Sequence, residues 1–383
     1  MSFGDNGGMT SASHSSDSAE PFEGLRIRGV AKTFGTDTTV LNEIDLDVHP
    51  GELISLVGSS GTGKSTLLRI IAGLEEPSAG RVTYAGQPLE RGSVGVVFQR
   101  PILYPHLSVK DNILFPTRLG AFAGRVDMDY YRELLEALKL EGLESRKPSQ
   151  LSGGQAQRVG IARALIRRAP VVLFDEPLAS VDEEMSASIR ADIVRLHERY
   201  GFTGLYVTHD QNEALMLGQR VAVMDAGYLV QVDTPERLLA HPHTLQVAKL
   251  MAAPALNLVA LEDSAVLPAG CELAIRATAL YPVAADAAHS LPVQVLGSRH
   301  LVGGMLYRAR LLEAVSLPLE SGRASADSEP SDRVYARVRA GQELEFFIPD
   351  AQSGSSLNVG DRVHLGVAAE RCFVFSNGKR FYL

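Results

Sequence analysis

Nine consecutive residues, Gly58-Ser59-Ser60-Gly61-Thr62-Gly63-Lys64-Ser65-Thr66, constrain this chain more than any other stretch. They follow the unbroken apolar run Leu53 to Val57 and precede the helical pattern Leu67 to Ala72, so they link a buried strand to a helix. Glycines in such a turn let successive backbone N–H groups converge on an anion, and the helix N-terminus adds a favourable dipole. Lys64 supplies positive charge, and the Ser65 hydroxyl is of the right chemistry to ligate Mg²⁺. Strand, loop and helix in this order predict nucleotide binding.

Other apolar runs have the same style. Val94 to Phe98, Val171 to Phe174 and Leu205 to Val207 read as buried strands alternating with helical patterns, the mark of an α/β fold with a largely parallel sheet. In such sheets ligands lie beyond the carboxyl ends of the strands, so the strand exits are where chemistry belongs. Val171-Val172-Leu173-Phe174 runs directly into Asp175 and Glu176. Neighbours on a strand point opposite ways, which leaves Asp175 to hold Mg²⁺ through water and Glu176 to orient and deprotonate an attacking water.

Composition limits the alternatives. The 383 residues carry 45 acidic and 37 basic side chains, a net charge of −8, which argues against a surface built to neutralise nucleic acid. No uncharged apolar stretch is long enough to span a bilayer. Cys271 and Cys372 stand far apart with no His cluster, so they read as reduced core thiols and not as a zinc site or disulfide framework. Residues 1–23, rich in Ser and Gly at their start and without an apolar signal core, read as a disordered tail on a cytoplasmic protein.

The α/β texture covers residues 24–250. Within it the strand signal stops over about 101–170, where Tyr130, Leu134 and Leu138 with Tyr131 and Leu135 mark a helical insertion behind Asp127 and Asp129. From 251 to 383 short alternating segments, Met305 to Leu311, Val334 to Val338, Glu343 to Ile348 and Arg362 to Leu365, predict a small antiparallel β-barrel. The Ser-rich stretch Glu320 to Arg333 reads as an exposed loop in it.

Leu151-Ser152-Gly153-Gly154-Gln155 starts another helical pattern, with Ser152 and Gln155 at capping-box spacing. A helix start alone does not call for two glycines, each costing roughly 1 kcal/mol relative to Ala. They suggest close approach to an anion.

The glycine loop, the LSGGQ segment and the apolar run ending in Asp175-Glu176, in this order, resemble the ATP-binding subunits of ABC transporters. The resemblance implies a phosphate-loop ATPase domain with an antiparallel β subdomain and a helical subdomain. It further implies that Phe34 stacks on adenine, that Gln99 senses Mg²⁺ and couples to a membrane partner, and that Asp182 and His209 are the D-loop and switch residues. Two copies would pair so that Ser152, Gly153, Gly154 and Gln155 of one close on the γ-phosphate held by Lys64 of the other. Glu176 would be the general base. Thr62 where Cys or Ser is frequent, Ala156 after the signature, and Ser180-Val181-Asp182 are departures that remove no catalytic atom.

The segment Gln99 to Val109, the Lys147-Pro148 pair, the Ala252 to Asn257 junction and the second domain look like the maltose or multi-sugar importer subgroup. Its C-terminal domain is a regulatory, oligonucleotide-binding-like barrel, although Ile275-Arg276-Ala277-Thr278 departs from the usual Ile-Arg-Pro-Glu. What this implies is a peripheral ATPase on the cytoplasmic face of the membrane, hydrolysing ATP with Mg²⁺ as a homodimer on two permease chains. An extracytoplasmic binding protein would deliver a carbohydrate or related polar solute such as a sugar or glycerol phosphate, and a regulatory protein or effector could dock on the barrel. The alternatives are an importer of polyamine, iron or an oxyanion, and a soluble ABC ATPase outside transport.

Overall fold

Along the apolar runs, neighbouring side chains enter different cores. Val171 and Leu173 join one cluster while Val172 and Phe174 join another, and Leu205 and Val207 part from Tyr206 in the same way. A strand apolar at every position is therefore one covered on both faces, the condition for a parallel sheet.

The computed structural model describes residues 22–119, 126–261, 267, 270–319, 334–350 and 356–381. Strands β1 (Leu25–Phe34) and β2 (Thr38–Val48) come first, followed by β3 (Leu53–Val57), helix α1 (Lys64–Ile71), β4 (Ala79–Tyr84), β5 (Gln87–Pro88) and the short β6 (Gly95–Val97). Helices α2 (Val109–Leu114), α3 (Met128–Ala137) and α4 (Gly153–Leu165) occupy the next segment, where no strand is found among the described residues. Asp127 caps α3 by accepting from the amides of Asp129 and Tyr130. Then come β7 (Val171–Asp175), α5 (Glu183–Tyr200), β8 (Thr203–Thr208), α6 (Gln211–Leu217), β9 (Arg220–Asp225), β10 (Tyr228–Asp233), α7 (Pro235–Ala240) and α8 (Leu245–Leu250).

Six of these strands form one sheet in the order β10-β9-β3-β8-β7-β6, parallel except for β10 against β9. A second, antiparallel sheet runs β2-β1-β4-β5. Its Leu25, Ile27 and Ile44 bury against Ile54 and Leu56 of β3 and Leu67 and Ile71 of α1. The other face of the parallel sheet is closed by α3, α4 and α5 through Tyr130, Leu134, Val159 and Ile189.

Beyond α8 every ladder is antiparallel. The strands are β11 (Leu256–Ala260), β12 (Glu272–Arg276), β13 (Leu280–Val283), β14 (Leu291–Leu301), β15 (Gly304–Leu311), β16 (Val315–Leu319), β17 (Val334–Val338), β18 (Glu343–Pro349), β19 (Arg362–Val367), β20 (Cys372–Ser376) and β21 (Lys379–Phe381). They pair as β11-β12-β20-β21, β13-β19-β14-β15-β18 and β16-β17, and all three groups feed one core with Leu273, Val293, Phe346 and Leu317. This strand-rich unit has the character of the expected oligonucleotide-binding-like domain. Helix α8 joins it to the rest by packing Ala248 against Ala274, Phe373 and Phe375.

Cys271 is buried, and the half-buried Cys372 thiol donates to the Ala368 carbonyl at 3.6 Å. The expected tail lies outside the described residues up to residue 21, while Phe22 packs edge-on against His49 with ring centroids 5.4 Å apart. The Glu320 to Arg333 loop also lies outside them.

Candidate functional site

The order of the parallel strands decides which loops meet. β8 lies between β3 and β7, so the glycine loop after β3, the carboxylates ending β7 and the His209 loop after β8 leave the same edge of the sheet.

In the glycine loop, Gly63 adopts a left-handed φ of 99°, and a Cβ there would lie 2.7 Å from the Leu41 side chain. No other residue type fits without displacing β2. Thr62 Oγ1 donates to the Ser59 carbonyl at 3.0 Å, which tightens the turn. Lys64 is buried, and its ammonium donates to the carbonyls of Gly58 and Ser59 at 2.8 and 2.9 Å. Burial holds its pKa below the usual lysine value, opposed by the carboxylates of Glu176 and Asp175.

Ser65 Oγ donates to Asp175 Oδ1 at 3.1 Å, bridging the glycine loop and the end of β7. Burial raises the pKa of Asp175, and repulsion from Glu176 adds to it, against the Ser65 hydrogen bond and the charges of Arg69 and Lys64. Glu176 turns the other way. Its backbone sits at φ 43°, a left-handed value rare outside glycine, while its amide donates to the Val207 carbonyl at 3.0 Å. This aims its Oε2 to within 3.0 Å of His209 Nδ1. Asp175 thus meets Ser65 and Glu176 meets His209, while both carboxylates lie near enough to Lys64 to act on its charge.

Five expected residues have no hydrogen bond or ion pair to this cluster among the described residues. Gln99 follows β6 and is exposed. Phe34 ends β1 with its ring 42% exposed and the Lys32 ammonium 4.9 Å from its centroid. Asp182 caps α5, accepting from the Met185 amide at 3.0 Å. Ser152 and Gln155 form a reciprocal capping box at the start of α4. Among the described residues no hydrogen bond joins this signature segment to the glycine loop of the same chain.

The two signature glycines differ. A Cβ on Gly154 would run into Met185, whereas a Cβ on Gly153 would meet nothing within 4 Å. Nothing among the described residues explains Gly153.

Two buried polar residues near the site carry no motif in the sequence reading. Gln157, on α4, donates to the Phe98 carbonyl at 3.2 Å and so ties the signature helix to the residue before Gln99. Glu213, on α6, accepts from Thr208 beside His209 at 2.8 Å. The available signal was a polar residue on the apolar face of its helix, Glu213 four positions before Leu217 and Gln157 four before Ile161.

Hard oxygen donors suit Mg²⁺, which takes one or two protein oxygens together with substrate phosphates. Ser65 and Asp175 fit that pattern. The described residues contain no group of three or more His, Cys, Asp or Glu side chains that could hold a metal.

The family description ABC transporter matches residues 41–179. Curated relatives include the sn-glycerol-3-phosphate import ATP-binding protein UgpC 1 of Rhizobium johnstonii, 45% identical over 241 residues that make up 61% of this chain and 65% of the relative. UgpC of Salmonella typhi is 42% identical over 266 residues, 66% of this chain and 74% of the relative. The chain thus spans about two thirds of the length of the relatives it matches. Among solved structures, CbiO1 of Clostridium perfringens, described as part of the ABC transporter complex CbiONQ, is 27% identical with a TM-score of 0.52, covering 58% of this chain and 92% of that one.

Proposed function

The chain belongs to the ATP-binding subunits of ABC transporters, and from that premise we propose that it hydrolyses ATP to drive import of a carbohydrate or related polar solute, with a sugar phosphate or glycerol phosphate as the leading class. The observation that carries the ATPase reading is the convergence of Lys64, Ser65, Asp175, Glu176 and His209 on one sheet edge, with contacts of 3.1 Å for Ser65 to Asp175 and 3.0 Å for Glu176 to His209. The solute class rests on the import proteins named among the relatives.

In this mechanism the backbone amides of Gly58 to Thr66 and the ammonium of Lys64 bind the phosphates of ATP. Lys64 exchanges its contacts with the Gly58 and Ser59 carbonyls for phosphate oxygens. Phe34, exposed at the end of β1, stacks on the adenine. Ser65 and Asp175 would hold Mg²⁺, with Gln99 as a further ligand. When bound, the cation neutralises charge on the transferring phosphoryl group. Glu176 takes the proton of the attacking water as general base, and His209 orients that carboxylate and contacts the γ-phosphate.

A second copy completes the site. Ser152, Gly153, Gly154 and Gln155 of one protomer close on the nucleotide bound by the other, with Asp182 at the seam. The exposed start of α4 and the empty space around Gly153 support this pairing, because a glycine that nothing in its own chain requires makes sense where another chain's phosphate approaches. Positive loop amides and helix N-termini from two chains then neutralise charge that one could not.

Residues 24–250 form the ATPase unit in this reading, and residues 251–383 form an attached unit that takes a regulatory protein or effector. The protein sits peripherally on the cytoplasmic face of the membrane with two permease chains, fed by an extracytoplasmic binding protein. No described helix is long and apolar enough to cross a membrane, which is in keeping with that place. Affinity purification of the tagged protein from detergent-solubilised host membranes tests the whole assignment. Stoichiometric integral membrane chains are expected, and exclusively soluble partners would overturn the transporter reading while leaving the ATPase chemistry intact.

A further inference from the structure

We infer that Glu213 is a positioning residue for the His209 loop, and that through Arg190 it ties this loop to the first turn of α5, where Asp182 sits. The inference rests on the ATPase reading above and extends it to residues that touch neither nucleotide nor water.

Glu213 is 8% exposed, yet it is a carboxylate. Removing such a charge from water costs several kcal/mol unless partners compensate. Here the partners are arranged along a line. Glu213 Oε2 accepts from Thr208 Oγ1 at 2.8 Å and from the Tyr206 hydroxyl at 3.1 Å. Its Oε1 lies 3.5 Å from Arg190 Nη1, and Arg190 Nη2 donates to Glu183 Oε1 at 3.0 Å. Glu183 is the first residue of α5, next to its cap Asp182.

The Thr208 hydroxyl works twice. It donates to Glu213 and accepts from the Asp210 amide at 3.0 Å. Asp210 in turn caps α6, its Oδ1 accepting from the amides of Asn212 and Glu213. The residues before and after His209 are therefore anchored to one hydroxyl and one carboxylate, and His209 projects between them toward Glu176. A movement of the α5 first turn is passed by Arg190 to Glu213, and by Glu213 to both neighbours of His209. The Tyr206 hydroxyl shares the carboxylate but belongs to the buried strand side, off this line, so it serves as an internal control.

The test uses the full chain with five substitutions: Glu213→Gln, Thr208→Val, Thr208→Ser, Tyr206→Phe and Arg190→Met. ATP turnover is measured as kcat and KM, with the thermal midpoint of each variant alongside. Glu213→Gln and Thr208→Val are expected to lower kcat about tenfold while KM for ATP stays within about twofold, because the nucleotide contacts are untouched. Thr208→Ser, which keeps the hydroxyl, is expected to restore kcat to within about twofold of the unaltered chain. Tyr206→Phe is expected to lower the midpoint with kcat per folded molecule preserved. Arg190→Met combined with Glu213→Gln is expected to cost no more kcat than the worse single change, since both break one line.

Full kcat in Glu213→Gln and Thr208→Val, or a loss in Tyr206→Phe as large as theirs, would overturn the inference and reduce Glu213 to a structural brace. Additive losses for Arg190 and Glu213 would overturn the link to α5. If Glu213→Gln does not fold, the Thr208→Val and Thr208→Ser pair decides alone. An unaltered chain that neither binds nor hydrolyses ATP would instead sink the ATPase reading, so the two failures are told apart.

Discussion

The carboxyl edge of the parallel sheet and the interior of the C-terminal strand unit use polar side chains in different ways. At the edge, Lys64 leans on loop carbonyls, Glu176 holds a left-handed backbone, and Gly153 stands in open space. In the C-terminal unit, the buried Arg276 donates to the Met251 carbonyl, and to that of Leu239 at 3.2 Å. Burial, with repulsion from Arg371, pulls its pKa down to about 10, still a cation at neutral pH. Asn257 likewise donates to the carbonyls of Ile275 and Glu345 and accepts from the Glu345 amide. The contrast separates function from architecture: Arg276 and Asn257 tie the backbones of different elements together, while the Lys64 contacts stay within its own loop and can be exchanged for a ligand's oxygens.

The largest effect that would sharpen this contrast is at Glu176. Glu176→Gln is expected to reduce ATP hydrolysis by about a thousandfold with nucleotide contacts intact, trapping an ATP-bound dimer. Light scattering in Mg-ATP should give twice the monomer mass, and a monomer would contradict the assignment. Gly153→Ala comes next. Ala is the better helix former by roughly 1 kcal/mol, so the isolated chain should melt no lower than the unaltered one. Its ATPase activity should nevertheless fall by about tenfold or more, because the added methyl faces the partner's nucleotide. Unchanged turnover would put the glycine requirement back inside the chain.

Arg276→Met reverses the pattern. It leaves the carbonyls of Met251 and Leu239 without their donor, at a cost of about 3 kcal/mol in stability, while ATP turnover per folded molecule stays unchanged. Denaturant unfolding beside an ATPase assay checks both halves. The smallest effect on stability is at Asp175. A carboxylate whose folded pKa is raised binds its proton more tightly in the folded than in the unfolded chain, so its contribution favours folding at low pH and is lost as pH rises through the folded value. Asp175→Asn should therefore raise the nucleotide-free melting temperature at neutral pH by about 2 °C and remove that pH dependence, although it abolishes activity. A lowered melting temperature would show that the Ser65 hydrogen bond outweighs desolvation.

Much of the parallel-sheet region was legible in the sequence because its signals are local. Leu53 to Val57 and Val171 to Phe174 are apolar at every position, which only a strand buried on both faces tolerates, and Gly63 precedes Lys64 where the turn demands a left-handed φ. The capping box of Ser152 and Gln155 was readable for the same reason. Phe34 and Asp182 were less so. Exposure of one and a helix cap on the other are what their surroundings show, and neither follows from residue type. The C-terminal strands were readable by alternation, but not their division into four-, five- and two-stranded groups around one core.

By itself, then, the sequence determined the glycine loop, the two carboxylates at a strand end, the signature helix start and the change from α/β to all-β texture, since each depends on backbone demands within a few residues. Only the tertiary structure decided that β8 lies between β3 and β7, which brings His209 to Glu176 across 33 positions of chain. It alone set Glu213 between Thr208 and Arg190 and Gln157 against the Phe98 carbonyl. Contacts of that kind join residues remote in sequence, and they exist because burying apolar strand faces selects one strand order, after which the polar groups at the strand ends meet the partners that order provides.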